Sequence, residues 1–498
     1  MSWSVLRWGG FAAAVLTGVS AYLGGSPLQR DLSWWIGVGV WIVGAGALVC
    51  AWLLIGRAIG WRAPRAAADP AGPTVRWLLV TAALWALPLL LAPPLGSQDA
   101  YCYACQAQLY RNGFDVYAVG PIAMPCPWLE YVPVIWQSSP VPYGPLWIAA
   151  SGGAVALAGE SLAGAVTALR LLAVAGTALA VVAGVHLARR CGGQPAVVAW
   201  VAALSPLVLV HDISGAHNDA LLAGLVLTGL ALAAGRTGTE RPWLRLVLAG
   251  VAFGLAGGVK ITALVAAPFA VPLVLAGAAG TSWSLVRWRR VVACCGTLGG
   301  AVLATYGVLA ALTGYGIGFV HALTRTGSMV QWLSPPSGIG MSLGYLMRAL
   351  GRPEAFDTAV AIPRTAALVL LVVVLVLLWR RALLRIDRIA APVTAAGIAL
   401  IATVLLGPVV YAWYAVAGLC VLATVPLPRA ARIAVTAAAA GLIFLTLPDG
   451  LGLATKTKGP GAILDVILAI GALVWWWRRR RSPAAEGAGQ VRTSVGQP

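Results

Sequence analysis

Charge is what this chain has least of. Only 10% of its 498 residues are Asp, Glu, Lys or Arg, and just 15 are acidic, where ordinary soluble domains carry roughly 25% charged residues. A water-soluble globule of this length is thereby excluded. Histidine is scarce as well, with four in the whole chain, and no dense acidic cluster stands between the apolar runs. Neither an obligatory metal nor a cofactor is expected. Cys102, Cys105 and Cys126 fall close together but lack a neighbouring His, so the zinc set is incomplete, and C-x-x-C alone is a weak signal; one disulfide using Cys126 is the better reading of an outer-loop cluster. No period marks an internal repeat, and no soluble domain is appended. The 59 Gly and 31 Pro are spread among Ala, Leu and Val runs, which excludes collagen and disorder and suits membrane helices.

What is present is apolar length. Hydrophobic residues make up 60% of the chain and the mean hydropathy is +0.87, the signature of an all-α polytopic integral membrane protein set in a lipid bilayer. Runs long enough for a crossing, about 20 residues, begin near Trp8, Ser33, Val75, Ala163, Pro195, His217, Trp243, Ile261, Val291, Arg364, Ile389, Pro408, Ala431 and Gly461. That predicts about 14 transmembrane helices. The first is read as a retained span, because no small-residue cleavage site follows it. The formal charge of +19 comes from short basic clusters between apolar runs, the positive-inside pattern, and implies no nucleic-acid partner.

The apolar run from Val141 to Leu157 decides the topology. If it does not cross, most Lys and Arg beyond residue 160 fall on the cytoplasmic side, Arg189, Arg190 and Arg478 to Arg481 among them; if it crosses, the bias inverts against the rule. It is therefore read as a helix dipping into the outer leaflet, with both termini cytoplasmic in the plasma membrane. Two large extracytoplasmic loops result, 93–163 and 314–363. Residues 482–498 read as a disordered cytoplasmic tail.

The candidate site residues gather on the outer side. Asp99 opens the first loop just beyond the third apolar run, and Tyr101, Tyr103, Tyr110, Tyr117, Trp128 and Trp136 follow, a set suited to an interfacial belt and to sugar stacking. Asp115 lies in a turn-like stretch where an Asx-type turn and substrate contact are equally good readings. Pro142-Tyr143-Gly144-Pro145 fixes the entry angle of the dipping helix. The sharpest signal is His211-Asp212-Ile213-Ser214-Gly215-Ala216-His217-Asn218-Asp219, which would be costly in lipid unless it faces a cavity or itself. Lys260 falls at the outer leaflet with no cytoplasmic role, and His321 with Arg325 sits one helical turn apart in the second loop. These three are candidates for holding a phosphate, with Arg348, Arg352 and Arg364 behind them. Trp413 and Tyr414 add aromatics on the same side.

Taken in order, Ser97-Gln98-Asp99 with Tyr101 and Tyr103, Gly113-Phe114-Asp115 with Tyr117, Pro142-Tyr143-Gly144-Pro145-Leu146, Gly215-Ala216-His217-Asn218-Asp219-Ala220 and Tyr411-Ala412-Trp413-Tyr414 resemble the actinobacterial polyprenol-phosphate-mannose-dependent α-1,6-mannosyltransferases, which are GT-C membrane glycosyltransferases. The resemblance implies one glycosyltransferase domain over 1–481, a polyprenyl-phosphate-mannose donor, and a mannosylated glycolipid acceptor of the lipomannan or lipoarabinomannan type. It also implies Asp99 as catalytic base, with Tyr101, Asp115, Tyr143, His217, Asn218, Asp219, Trp413 and Tyr414 contacting substrate. One departure is the missing Pro before Trp413-Tyr414. The chemistry needs a carboxylate to accept the proton of the attacking hydroxyl and cations to hold the departing phosphate. The rival classes are a lipid-linked-sugar transporter, which would carry inverted repeats and broken helices, neither of which is legible, and a GT-C enzyme for another sugar such as arabinose.

Overall fold

The computed structural model describes residues 2–24, 31–61, 72–235, 241–276 and 288–481; the tail over 482–498 lies outside the described residues. The described chain is all-helical apart from one bridge between Thr446 and Gly452. Helices α1 (Trp3–Gly24), α2 (Leu32–Ala58) and α3 (Val75–Leu91) come first, followed by the first-loop helices α4 (Asp99–Arg111), α5 (Val134–Gln137) and α6 (Pro145–Ala158). Then come α7 (Leu162–Cys191), α8 (Pro195–Ala202), a π-helical turn over Val208–Ser214, α9 (Asp219–Ala234), α10 (Pro242–Val259) and α11 (Ala270–Ala276). The remainder holds α12 (Trp288–Thr313), α13 (Phe319–Ser328), α14 (Pro335–Ala349), α15 (Phe356–Leu384), α16 (Ala390–Leu406), α17 (Val416–Leu422), α18 (Arg429–Gly441), α19 (Leu453–Lys456) and α20 (Lys458–Arg481).

A helix lies at or within a few residues of each predicted crossing, but the count of about 14 full crossings is not reproduced. Among the described residues five helices are long and apolar enough to span a membrane, or six if the bent pair Val208–Ser214 and Asp219–Ala234 is one span. Prolines interrupt two of the runs. The run from Ile261 breaks into two 3-10 turns and the seven-residue α11 around Pro268 and Pro272, and the run from Pro408 gives a 3-10 turn at Ala412–Ala415 before α17. The dipping run forms α6, 14 residues long and hence about 21 Å, shorter than the roughly 30 Å hydrocarbon core.

Lipid replaces water as the outer solvent. In α12 and α15 only 17% of the most apolar stretch is buried, and leucines and valines such as Leu303, Leu312, Val369 and Val372 stand exposed. Such faces suit a hydrocarbon environment, since backbone polar groups are satisfied within each helix. The interior is closed by small residues, as membrane helix pairs require: Gly176 of α7 packs on the backbone of Leu221 in α9, and a Cβ at Gly224 would fall 2.5 Å from the Gly176 carbonyl. This tight α7–α9 contact holds the polar segment that precedes α9.

Candidate active site

Two backbone features deliver the polar residues. The π-helical turn runs straight into Gly215-Ala216, where Ala216 has φ 55°, a left-handed conformation uncommon for a residue with a Cβ. The chain consequently bends by 106° between Val208–Ser214 and α9. A broken helix was the mark expected of a transporter; here the break turns His217 and Asp219 toward the first loop. Strained backbone of this kind collects at functional sites, as do π-bulges.

Asp99 is the first residue of α4, and its N–H donates to Ser97 Oγ at 3.0 Å. Its side chain is 19% exposed and reaches His217 Nε2 at 3.5 Å. His217 is fully buried, with Nδ1 2.6 Å from the His211 carbonyl oxygen and its ring stacked on Trp413 at 3.9 Å. Trp413 in turn stacks on Tyr411 at 4.9 Å. A few residues beyond His217, Asp219 accepts from Lys260 Nζ through both carboxylate oxygens at 3.1 Å, and the same ammonium sits 3.8 Å over the Tyr414 ring. The 3-10 turn at Ala412–Ala415 thus serves both pairs, and the absent Pro before Trp413-Tyr414 has not prevented it.

Tyr143 is brought in by its motif. Pro145 starts α6, and Gly144 is close enough to α10 that its N–H donates to the Val259 carbonyl at 3.1 Å, while a Cβ there would meet the Gly258 carbonyl at 2.5 Å. The Tyr143 hydroxyl lies 3.3 Å from that of Tyr103. Burial, and then the nearby Asp99 carboxylate, push the Tyr143 hydroxyl well above the ordinary phenol range; Tyr103 is raised by burial first as well.

Two cavities meet at Asp99. One, of about 330 Å³, is lined by Asp99, Tyr143, Asp219, Lys260 and Tyr414 at its polar end and by Leu222, Leu323, Leu368, Leu371, Leu400 and Val404 beyond. Leu368 is also 45% exposed on α15, so this apolar wall continues onto the exposed apolar surface of that helix. The other, of about 440 Å³, is lined by Ser97, Gln98, Gln331, Trp413, Thr446 and Lys458 among others. Asp99, Trp136 and Tyr411 line both.

Of the residues singled out in the sequence, Asp99, Tyr143, His217, Asp219, Lys260, Trp413 and Tyr414 come together. Asn218 is buried beside them, its side-chain atoms without a hydrogen-bond partner. Tyr101 packs on Tyr131 and lines neither cavity. Asp115 accepts from the Tyr117 N–H at 2.9 Å, an Asx turn away from both cavities. His321 is exposed on α13 and lines neither cavity, and the Arg325 side chain lies outside the described residues. Lys260 does line the apolar cavity, but its charge is already matched by Asp219. Arg364 is spent on the carbonyls of Gly327, Met329 and Pro408 and on Ser337 Oγ. The pairing among the first-loop cysteines is Cys105–Cys126, and no His, Cys, Asp or Glu group among the described residues could hold a metal ion.

Arg170 was missed. It is 4% exposed and donates to the carbonyls of Ser214, Leu90 and Ala92 at 2.7–2.9 Å, pinning the bent segment to the end of α3. The signal was available: a lone Arg inside a 30-residue apolar helix is too costly to leave unpaired.

A carboxylate thus stands at the junction of a leucine-walled cavity and a polar one, in an all-helical chain with helices apolar enough to span a membrane. Comparison with known proteins gives the class. The family model described as alpha-(1->6)-mannopyranosyltransferase, N-terminal domain, matches residues 4–276, and that described as MptB C-terminal domain matches residues 336–477. The chain is 32% identical over 465 residues to alpha-(1->6)-mannopyranosyltransferase A of Mycobacterium tuberculosis, covering 89% of this chain and 84% of that protein. It is 30% identical over 431 residues to alpha-(1->6)-mannopyranosyltransferase B of Corynebacterium glutamicum, covering 84% and 70%. No solved structure matches. The chain belongs to the alpha-(1->6)-mannopyranosyltransferase family of glycosyltransferase enzymes.

Proposed function

We propose that this mannosyltransferase takes mannose from a polyprenyl-phosphate-mannose donor on the extracytoplasmic face and adds it, with inversion at the anomeric carbon, to the α-1,6-mannan core of a lipomannan-type or lipoarabinomannan-type glycolipid. Residues 1–481 act as one catalytic unit with both termini cytoplasmic. The observation that carries this reading is the place of Asp99, reachable from a leucine-walled cavity on one side and a polar, aromatic one on the other. The first suits a prenyl chain entering from lipid, and the second suits a glycan, which stacks on aromatic faces and hydrogen-bonds to side-chain amides and hydroxyls.

Asp99 accepts the proton of the attacking acceptor hydroxyl as that oxygen bonds to the anomeric carbon. The bond to the phosphate oxygen breaks with its electron pair, and the phosphate leaves already ionised, so a separate acid is not needed. Lys260 faces the same cavity and is the cation nearest this chemistry; sharing its ammonium between Asp219 and the phosphate lets the negative charge grow on the leaving group without a free positive charge standing buried beforehand.

Purified protein in nanodiscs is to be offered synthetic polyprenyl-phosphate-mannose with an α-1,6-linked oligomannoside, and the product linkage read by NMR. One added mannose, with the anomeric configuration opposite to that of the donor, is expected. Transfer from GDP-mannose but not from the lipid donor, or retention of configuration, would overturn the reading.

A further inference from the structure

The two nitrogens of His217 have different neighbours. Nδ1 lies 2.6 Å from the carbonyl oxygen of His211; a carbonyl only accepts, so Nδ1 carries a hydrogen. The stack on Trp413 at 26° and 3.9 Å, with Tyr411 behind it, keeps the ring in this orientation. Nε2 is buried, has no hydrogen-bond partner, and points at Asp99 Oδ2 3.5 Å away. In the neutral ring Nε2 is therefore a lone pair facing a carboxylate. Two acceptors confront each other with one proton missing between them.

We propose that Asp99 and His217 work as one proton-accepting pair: the Asp99 carboxylate receives the proton of the acceptor hydroxyl, and His217 Nε2 is where that proton rests once the sugar has moved. The inference rests on Asp99 being the base. The hydroxyl O–H bond breaks as its oxygen bonds to the anomeric carbon, the electron pair of the sugar–phosphate bond goes to the phosphate oxygen, and the proton passes through the carboxylate to Nε2. The site gains one positive charge as the leaving phosphate gains one negative charge. His217 touches no substrate and acts through Asp99. A lone carboxylate, with an ordinary value of about 3.9, is a poor resting place for a proton compared with an imidazole at about 6.5.

The groups facing the pair are known from each neighbouring element. They are His211 in its own segment, Asp219 with Lys260 across from it, Cys102, Tyr103 and Tyr143 from the first loop, and Tyr411 and Tyr414 from the aromatic turn. Of these only His211 is a second imidazole, so a His211 variant is the control.

The test is the pH profile of kcat/KM for wild type, His217→Gln and His211→Gln. For His217→Gln, kcat is expected to fall at least about tenfold with donor KM little changed, and the acid limb to move down by more than about one pH unit toward the carboxylate range. His211→Gln should leave the limb in place. A His217→Gln enzyme with the wild-type limb overturns the inference while leaving Asp99 as base, whereas an active Asp99→Asn enzyme overturns both. Should His217→Gln fail to fold, ¹⁵N-histidine NMR of wild type and Asp99→Asn decides. The His217 midpoint should drop by about one unit or more when the carboxylate that favours the imidazolium is lost. An unchanged midpoint overturns the pair.

Discussion

Replacing Asp99 by Asn tests the site most directly. The amide keeps the size of the carboxylate and cannot accept a proton, and its Nδ2–H can be offered to His217 Nε2 across the same 3.5 Å gap. Because that contact is at least as favourable as the one it replaces, the fold should lose no more than about 1 kcal/mol. Loss of a general base costs about 100- to 10,000-fold, or about 2.7 to 5.5 kcal/mol of barrier at 1.36 kcal/mol per tenfold. The assay is transfer of labelled mannose from a polyprenyl-phosphate donor by purified enzyme in nanodiscs, with donor binding and thermal stability measured on the same preparation. The expected result is a collapse of kcat with donor affinity within about threefold of wild type. Turnover within a few-fold of wild type in a stable, donor-binding Asp99→Asn protein would refute the assignment.

Three other outcomes follow from the packing. Lys260→Met or Asp219→Asn alone should cost about 3 to 5 kcal/mol, since each leaves a buried charge unpaired, and the double variant should lose less than the sum in thermal melts; if Lys260 also grips the donor phosphate, the double variant regains stability but keeps a raised donor KM. Arg170→Met orphans two buried carbonyls, of Ser214 and Ala92, at about 1 to 3 kcal/mol each, and the part-buried one of Leu90, so Tm should fall steeply, and a melt within error of wild type would show that the clamp matters little. Cys105→Ser closes off the disulfide across 21 residues and should cost about 3 kcal/mol, seen as a lower Tm that reducing agent does not lower further.

The sequence revealed the membrane class because apolar runs and charge scarcity are summed over hundreds of residues, and it placed helices where the runs begin. Its count of about 14 full crossings is not reproduced by helix length among the described residues, and runs such as those around Pro268, Pro272 and Pro408 show one reason, since hydropathy averages over a break that backbone geometry does not. The candidate site was legible where several polar groups crowd into an apolar setting: His217, Asp219 and Lys260 stand out because isolation there is expensive. Which of them pair was not legible, because Lys260 and Asp219 are 41 residues apart and meet only where the end of α10 returns to the start of α9. Asp115 shows the opposite problem. Its local pattern fits a turn and a ligand contact equally, and only its hydrogen bond to the Tyr117 N–H separates them.

The leucine-walled cavity draws most of its polar end from Asp99, Tyr143, Asp219 and Lys260, within the N-terminal match, with Tyr414 added from the C-terminal match, and much of its hydrocarbon wall from Leu368, Leu371, Leu400 and Val404, all within the C-terminal match. On the proposed reading, the carboxylate and most of the apolar wall thus come from different halves of the chain. If that reading holds, substitutions confined to Leu368, Leu371, Leu400 and Val404 would retune which lipid is accepted while leaving Asp99, His217, Asp219 and Lys260 in place.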